Sequence, residues 1–215
     1  MTTSDLLPAL SDSLFTVSED NYTSNAMVWS GISNFPIFSL SYKSASVVLF
    51  NQLDGSATKA NTLVYPIVFL NRHYIELQLK EIIIELNLIV YNTRKFSPTH
   101  DLMILWDEYI NLLSRLGDNH KIDKLMLCNV KKLIKELNVV DCQSASFRYP
   151  VKKAGENKKY EASVNLDVIN LTNFMVIMNK LYVFLIGRAT PFTQLEVVFN
   201  FIYRDITPSF RVDNV

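Results

Sequence analysis

The sequence predicts an all-α protein that folds as an antiparallel helical bundle. Apolar residues recur at helical spacing in several long segments, no strand pattern persists beyond a few residues, and the chain has no internal repeats. With 215 residues and 49% hydrophobic content, the chain can bury one sizeable core. We therefore expect a single helical-bundle domain over residues 37–215, preceded by an irregular N-terminal arm over residues 1–36.

The N-terminal arm is rich in Ser, Thr, Asn and Asp and shows no sustained period. Its scattered aromatic residues are Phe15, Tyr22, Trp29 and Phe35. These rings could dock the arm on the helical body or on a partner, and the sequence leaves both alternatives open.

Two helices are expected in the first part of the body. Residues 39–53 carry apolar residues at helical spacing, and Asp54-Gly55 then supplies a stop signal. A second helix is expected over residues 65–85. Pro66 would lie in its first turn, where the missing amide proton costs no hydrogen bond.

The second helix carries two polar stripes, because residues that recur every three or four positions share a helical face. One stripe contains Asn71, Tyr74, Gln78, Glu81 and Glu85. We expect this stripe to be an ordinary solvated face.

The opposite stripe places Arg72, His73, Glu76 and Lys80 among apolar neighbours. Packing against another helix would bury these ionisable groups, which is costly unless each finds a partner. The cluster is therefore a candidate functional site. The spacing of Arg72, Glu76 and Lys80 also suits a surface ion-pair ladder, which is the alternative interpretation.

The rest of the chain is expected to form four helices and one long loop. The helices span residues 101–116 with Thr99 as N-cap, residues 122–137, residues 164–186 ended by Gly187, and about residues 193–203. For the helix over 164–186, the possible N-caps are Asn165, Asp167 and Asn170. This helix is the longest apolar one, and we expect it to form the spine of the bundle.

His100 lies near the start of the helix over residues 101–116. Helices joined by a short loop pack side by side, so we expect His100 to approach the Lys80 end of the candidate site rather than Arg72. His100 is a candidate acid or base. The alternative is a histidine that only caps or packs at a helix start.

The loop over residues 141–162 has no helical period and is rich in basic residues. Long loops inside compact domains are often functional. Arg148, Lys152 and Lys153 could hold a phosphate while Tyr149 stacks a base, so these four are the candidate RNA-binding residues. Solvated loop lysines are the alternative interpretation.

Composition and motif content exclude several function classes. Lys and Arg total 21, as do Asp and Glu, so no global basic field attracts nucleic acid. Cys128 and Cys142 form no metal spacing and no Gly-rich phosphate loop is present, so we expect no metal and no cofactor. Without a secretory signal or an apolar run of membrane-spanning length, a cytoplasmic protein without membrane contact is expected.

Three segments together resemble a known family. FLNRHYIELQLK, THDLMILW and FRYP before a long apolar helix resemble bacterial helical proteins of the HEPN type (higher eukaryotes and prokaryotes nucleotide-binding), over about residues 40–187. The resemblance implies a helical bundle, often dimeric, and for many members RNA cleavage in toxin, antiviral or abortive-infection systems. The family's ribonuclease motif is an Arg, a polar residue and, a few places on, a His. Arg72 and His73 match its start, but Leu77 to Leu79 stand where the catalytic His is expected.

Two functions follow from the site and the resemblance. The chain could be a metal-independent endoribonuclease of a bacterial defence or toxin-type system, with Arg72 and Lys80 stabilising phosphate, His73 or His100 as acid/base, and Glu76 orienting an imidazole. It could instead be a catalytically silent nucleotide- or partner-binding subunit whose polar cluster fixes the helix register. RNA or a nucleotide is the expected ligand, and a homodimer or heteromeric complex is the expected assembly. A basic concave surface around Arg72 favours the first function, and a buried Arg72 favours the second.

Overall fold

The computed structural model describes residues 10–19, 25–117, 123–154 and 159–189. These residues are mostly helical, which confirms the predicted all-α bundle. The chain divides into two compact units, residues 1–31 and residues 32–215. Within the first unit the Asn25 side chain exchanges two hydrogen bonds with the backbone of Ser18, at 2.9 and 2.8 Å.

The described residues of the second unit form a short 3-10 turn, five α-helices and a two-stranded ribbon. The turn spans Ile32–Asn34, and the helices are α1 Phe35–Asn51, α2 Ala57–Tyr91, α3 Leu102–Arg115, α4 Lys124–Val140 and α5 Leu171–Ala189. The strands β1 Val151–Lys152 and β2 Glu161–Ala162 pair antiparallel inside the long loop that follows α4.

Helices α1 and α2 begin earlier than predicted. Helix α1 begins with a proline in its first turn, which needs no amide donor there. Helix α2 begins at Ala57 because Ser56 caps it, its hydroxyl accepting from the Lys59 amide at 3.3 Å. Pro66 therefore lies inside α2, not in its first turn, and the carbonyl of Thr62 loses its helical donor.

Helix α2 is the centre of the bundle, with α1, α3 and α5 packed against it. Its 35 residues correspond to a length of about 52 Å. The prediction that residues 164–186 form the spine is wrong: α5 begins only at Leu171, where the Asn170 side chain accepts from the Asn173 amide at 3.0 Å. Helix α5 also continues through Gly187, the predicted stop.

Because neighbours cover α2 on several sides, the predicted solvated stripe is wrong. Asn71, Tyr74, Gln78 and Glu81 are buried, and Glu85 is half-buried. The polar spacing was real, but the face it defines packs against α1 and α5 instead of water. A central helix can therefore carry polar stripes on two faces that are both covered by other helices.

The stripe that was predicted to be solvated contains a buried carboxyl group, that of Glu81, which accepts few hydrogen bonds. The Glu81 carboxylate accepts from Gln78 at 2.8 Å and from the Ser39 hydroxyl at 3.5 Å. Burial raises the pKa of Glu81 to about 7, helped by the charge of Glu85 and opposed by the two hydrogen bonds. Nearby on α1, burial lowers the pKa of Lys43 to about 8, and its ammonium group lies 5.3 Å from the Tyr182 ring centre.

The predicted limits of α3 and α4 agree with the structure to within about three residues. Asp101, not Thr99, caps α3 by accepting from the amides of Met103 and Ile104. Asp123 caps α4 in the same way. The helix predicted over residues 193–203 lies outside the described residues. Within the described ranges, no helix is both long enough and apolar enough to cross a membrane.

Replacing Glu81 should change how stability depends on pH. Its folded-state pKa lies above the ordinary 4.5, so protonated Glu81 contributes stability. That contribution is fully present below about pH 4.5 and is lost as the pH rises through 7. Relative to Glu81→Gln, the wild-type free energy of unfolding should therefore fall by about 3 kcal/mol between pH 4.5 and pH 8. Urea unfolding at several pH values measures this difference.

Glu136→Gln, an exposed change on α4, is the control for that experiment. Its difference from wild type should stay constant across the same pH range. Parallel curves for wild type and Glu81→Gln would contradict the assigned shift.

Candidate functional site

Residues 92–101 form neither helix nor strand and run back along α2 before α3 begins. The Asn87 side chain donates to the Lys95 carbonyl at 2.9 Å, and the Lys80 ammonium lies 5.5 Å from the Phe96 ring centre. Nine extended residues reach about 30 Å, and the helix from Arg72 to Tyr91 rises about 28 Å. The segment therefore brings His100 back to the middle of α2.

This return path corrects the expected position of His100. Its ring nitrogen Nδ1 lies 3.0 Å from Glu76 Oε1, and its main-chain carbonyl accepts a hydrogen bond from Arg72. His100 therefore contacts the Arg72 end of the stripe as well as the Lys80 end. The prediction assumed that α3 follows α2 through a short loop, whereas residues 92–101 run back along α2 before α3 begins.

Arg72 is fully buried, at 0% exposure, and joins three segments of the chain. Its Nη1 donates to Glu76 on α2, its Nη2 donates to the His100 carbonyl, and its Nε donates to the Asp141 carbonyl at 3.2 Å. Every guanidinium nitrogen thus has a protein acceptor. The predicted burial of Arg72 is confirmed, and the guanidinium offers no surface to a phosphate.

Glu76 is the shared acceptor of the cluster and is 1% exposed. Besides Arg72, its carboxylate accepts from Lys80 at 2.7 Å and contacts the His100 ring. Burial raises the pKa of Glu76, but the hydrogen bonds and charges of Lys80 and Arg72 outweigh it and bring the pKa below its usual value. Glu76 is therefore ionised at neutral pH.

Asp141 belongs to this cluster, although the sequence reasoning missed it. Its carboxylate accepts from the amides of Ala145 and Ser146, at 2.7 and 3.0 Å, and its carbonyl accepts from Arg72. The signal was an Asp directly after a helical segment and before a Ser-rich turn, where such side chains bond to nearby amides. We refer to Arg72, Glu76, Lys80, His100 and Asp141 as the Arg72 network.

His73 points away from this network and is only half-buried. Its ring stacks on Phe69 at 5.6 Å and meets the edge of Tyr42 at 4.5 Å, while its Nδ1 has no hydrogen-bond partner among the described residues. Burial lowers the pKa of His73, and the nearby cations add to this effect against the charge of Glu76. The imidazole is therefore neutral at neutral pH.

The concave surface beside Arg72 is not basic. A cavity of about 470 Å³ between α4 and α5 adjoins Arg72 and Asp141, and its described wall is otherwise mostly apolar, with Glu136 as a further ionisable residue. The exposed chemistry of the network is the His100 imidazole, whose side chain is 55% exposed. With Nδ1 held by Glu76, its Nε2 is the nitrogen available to another molecule.

The predicted RNA-binding residues separate into two groups. Arg148 and Tyr149 line a groove of about 1160 Å³ formed by the ends of α1, α2 and α5. Lys152 and Lys153 are exposed on the ribbon outside the described lining of this groove, and Lys152 lies 3.5 Å from Glu161. Of the four predicted residues, only Arg148 and Tyr149 therefore lie in one groove.

Comparisons with protein-family models, with curated proteins and with solved structures found no match to this chain. Among the residues that the structure describes, no group of three or more His, Cys, Asp or Glu side chains could hold a metal ion.

Glu76→Gln should destabilise the protein strongly. It removes the charge that compensates Arg72 and Lys80, which leaves buried cations unpaired at a cost of about 3–5 kcal/mol. Glu85→Gln, a half-buried change on the same helix, should cost less than about 1 kcal/mol. Chemical unfolding at pH 7 compares the two variants, and equal costs would show that the network does not stabilise the fold.

Proposed function

We propose that this chain is a catalytically silent, HEPN-like helical subunit that binds a nucleotide or a partner within a bacterial defence or toxin-type complex. The observation that carries this proposal is the complete burial of Arg72, whose three nitrogens are all used by acceptors within the chain. A ribonuclease of the expected kind needs a cation that reaches the scissile phosphate.

If Arg72 turned toward solvent to reach a substrate, the hydrogen bonds that hold the Arg72 network together would break. Moving the guanidinium outward would break its bonds to two loop carbonyls and remove a counter-charge from the buried Glu76 carboxylate. Breaking a buried pair is strongly unfavourable. The network is therefore better suited to holding the segments around α2 in register than to handling a phosphodiester.

Endoribonuclease activity is the second candidate, and one observation favours it. The exposed His100 imidazole is oriented by the buried Glu76 carboxylate at 3.0 Å, an arrangement that suits general acid or base catalysis. Lys80 lies against the same carboxylate at 2.7 Å but is itself largely buried. In this alternative His100 is the acid or base and Lys80 supplies the positive charge.

Incubating the purified protein with total RNA separates the two functions. We expect no cleavage above that of buffer, with or without EDTA, because no cation of the network reaches solvent beside His100. Cleavage that persists in EDTA and falls by about 100-fold or more in His100→Ala would establish the ribonuclease instead. His73→Ala serves as the comparison, since its imidazole makes no hydrogen bond to Glu76.

Association with another subunit is part of the proposal. Leu14, Phe15 and Val28 in the first compact unit are each more than nine-tenths exposed. Exposed apolar side chains concentrated in one short segment are typical of an interaction surface. The partner is a second copy of this chain or a different protein.

We expect a homodimer at micromolar concentration by solution scattering, or a monomer that joins a heteromeric complex through residues 10–29. Phe15→Ser combined with Val28→Ser should shift either assembly toward the monomer, because burial of these side chains would drive association. Tyr160→Ser, which changes an exposed ring in the second unit, should leave the assembly unchanged. A wild-type chain that remains monomeric alone and with every component of its complex would contradict association.

A further inference from the structure

Aromatic rings hold the charge of Arg148 in place, and no acceptor among the residues that the structure describes uses its hydrogen-bond donors. Its guanidinium carbon lies 5.5 Å from the ring centre of Phe69 and 5.6 Å from that of Tyr149. Such cation–π contacts attract the cation through the ring faces and use none of its N–H groups as hydrogen-bond donors. The Arg148 side chain is exposed and makes no ion pair or hydrogen bond with the residues that the structure describes. It is therefore ready to bind an anion.

The groove beside Arg148 has the other features of a ligand site. Its volume of about 1160 Å³ lies slightly above the range of about 300–1,000 Å³ that is usual for small-molecule sites, so it has room for a ligand of that size. Phe147, Val64 and Leu171 contribute apolar surface to its wall. Exposed Tyr65 and Tyr149 offer ring faces at 54% and 58% exposure. The combination of flat aromatic faces with one cation held by cation–π contacts suits a planar base carrying a phosphate.

The acidic groups of the groove do not cancel this preference. Asp54 is paired with Lys59 at 2.6 Å, so its charge is already neutralised. Asp167 is the other carboxylate in the described lining. A carboxylate near the sugar is a good acceptor for ribose hydroxyls and disfavours a ligand that is only an anion. Arg148 is the one cation among the described lining residues, so the groove favours a single phosphate group.

We propose that this groove binds a nucleoside phosphate, with Arg148 on the phosphate, Tyr149 stacked on the base and Asp167 near the ribose. This inference rests on the proposed binding function and names the ligand class. The ligand is either a free nucleotide or one nucleotide of a single-stranded RNA, since both present the same base, ribose and phosphate. The site is separate from the Arg72 network, whose side chains do not line this groove.

Isothermal titration calorimetry with AMP, adenosine, inorganic phosphate and an RNA octauridylate tests the proposal. AMP or the octauridylate should bind, and adenosine and phosphate should each bind at least about tenfold more weakly than AMP, because each lacks part of the recognised group. Tighter binding of AMP than of the octauridylate identifies a free nucleotide as the ligand. The reverse order identifies single-stranded RNA.

Variants assign the contacts. Arg148→Gln should weaken AMP binding by about tenfold or more, because a charge-assisted bond to phosphate is lost. Tyr149→Leu should weaken AMP binding but leave phosphate binding unchanged. The matched control is Arg115→Gln, because Arg115 also makes a cation–π contact with a tyrosine, its guanidinium carbon lying 5.7 Å from the Tyr91 ring centre. Unlike Arg148, Arg115 lies outside the described lining of the groove and already donates to Asn111 at 3.1 Å. It should bind AMP as the wild type does.

Two results would overturn the inference: no binding of AMP or octauridylate at about millimolar concentration, or equal AMP affinities for Arg148→Gln and Arg115→Gln. Circular dichroism of each variant shows whether it keeps the helical fold, and Arg148→Lys retains the charge if the Gln variant does not fold. The RNA cleavage assay remains independent of this outcome. Absent binding with intact RNA removes only the nucleoside phosphate site, whereas cleaved RNA removes the proposed silent function.

Discussion

The buried contact between Arg72 and Glu76 is the constraint on which the arrangement around α2 depends. A single buried charge on either residue would cost several kcal/mol, so each must be compensated on all sides. Arg72 finds two of its three acceptors in main-chain carbonyls, one at His100 before α3 and one at Asp141 after α4. The hydrogen bonds of one guanidinium group therefore hold two loops against the central helix. Apolar packing alone would not specify the positions of these loops.

The two polar stripes of α2 differ in how they are satisfied. The Arg72 network pairs its charges, because the Glu76 carboxylate accepts from both Arg72 and Lys80. On the other stripe, one carboxylate oxygen of Glu81 has no hydrogen-bond partner among the described residues. The Tyr74 hydroxyl and the side-chain oxygen Oδ1 of Asn71 also have no such partner there. Burial raises the pKa of Glu81 to about 7, so the carboxyl group of this stripe titrates near neutral pH. One stripe fixes register and the other responds to pH.

Solvent exposure separates the charged residues that hold the fold from the polar groups that a ligand can reach. The residues whose charges are fully compensated, Arg72 and Glu76, are closed to solvent. His100 offers one ring nitrogen at the edge of that network, and Arg148 offers a cation beside aromatic rings at a groove more than one helical turn away along α2. A ligand can reach His100 and Arg148 without breaking the buried pairs of the Arg72 network.

The sequence by itself determined the helical class, the approximate limits of α3 and α4, and the polar stripe that becomes the Arg72 network. These features depend on local periodicity and capping, which are written in neighbouring residues. The start of α2 was missed because a Ser56 cap outweighs Pro66 inside the helix. The burial of Gln78 and Glu81, the contact between His100 and Arg72, and the inclusion of Asp141 were decided only by the tertiary structure. These features depend on which helices surround α2 and on the path of residues 92–101 back along α2. The contacts join residues that are too far apart in sequence for periodicity to reveal them.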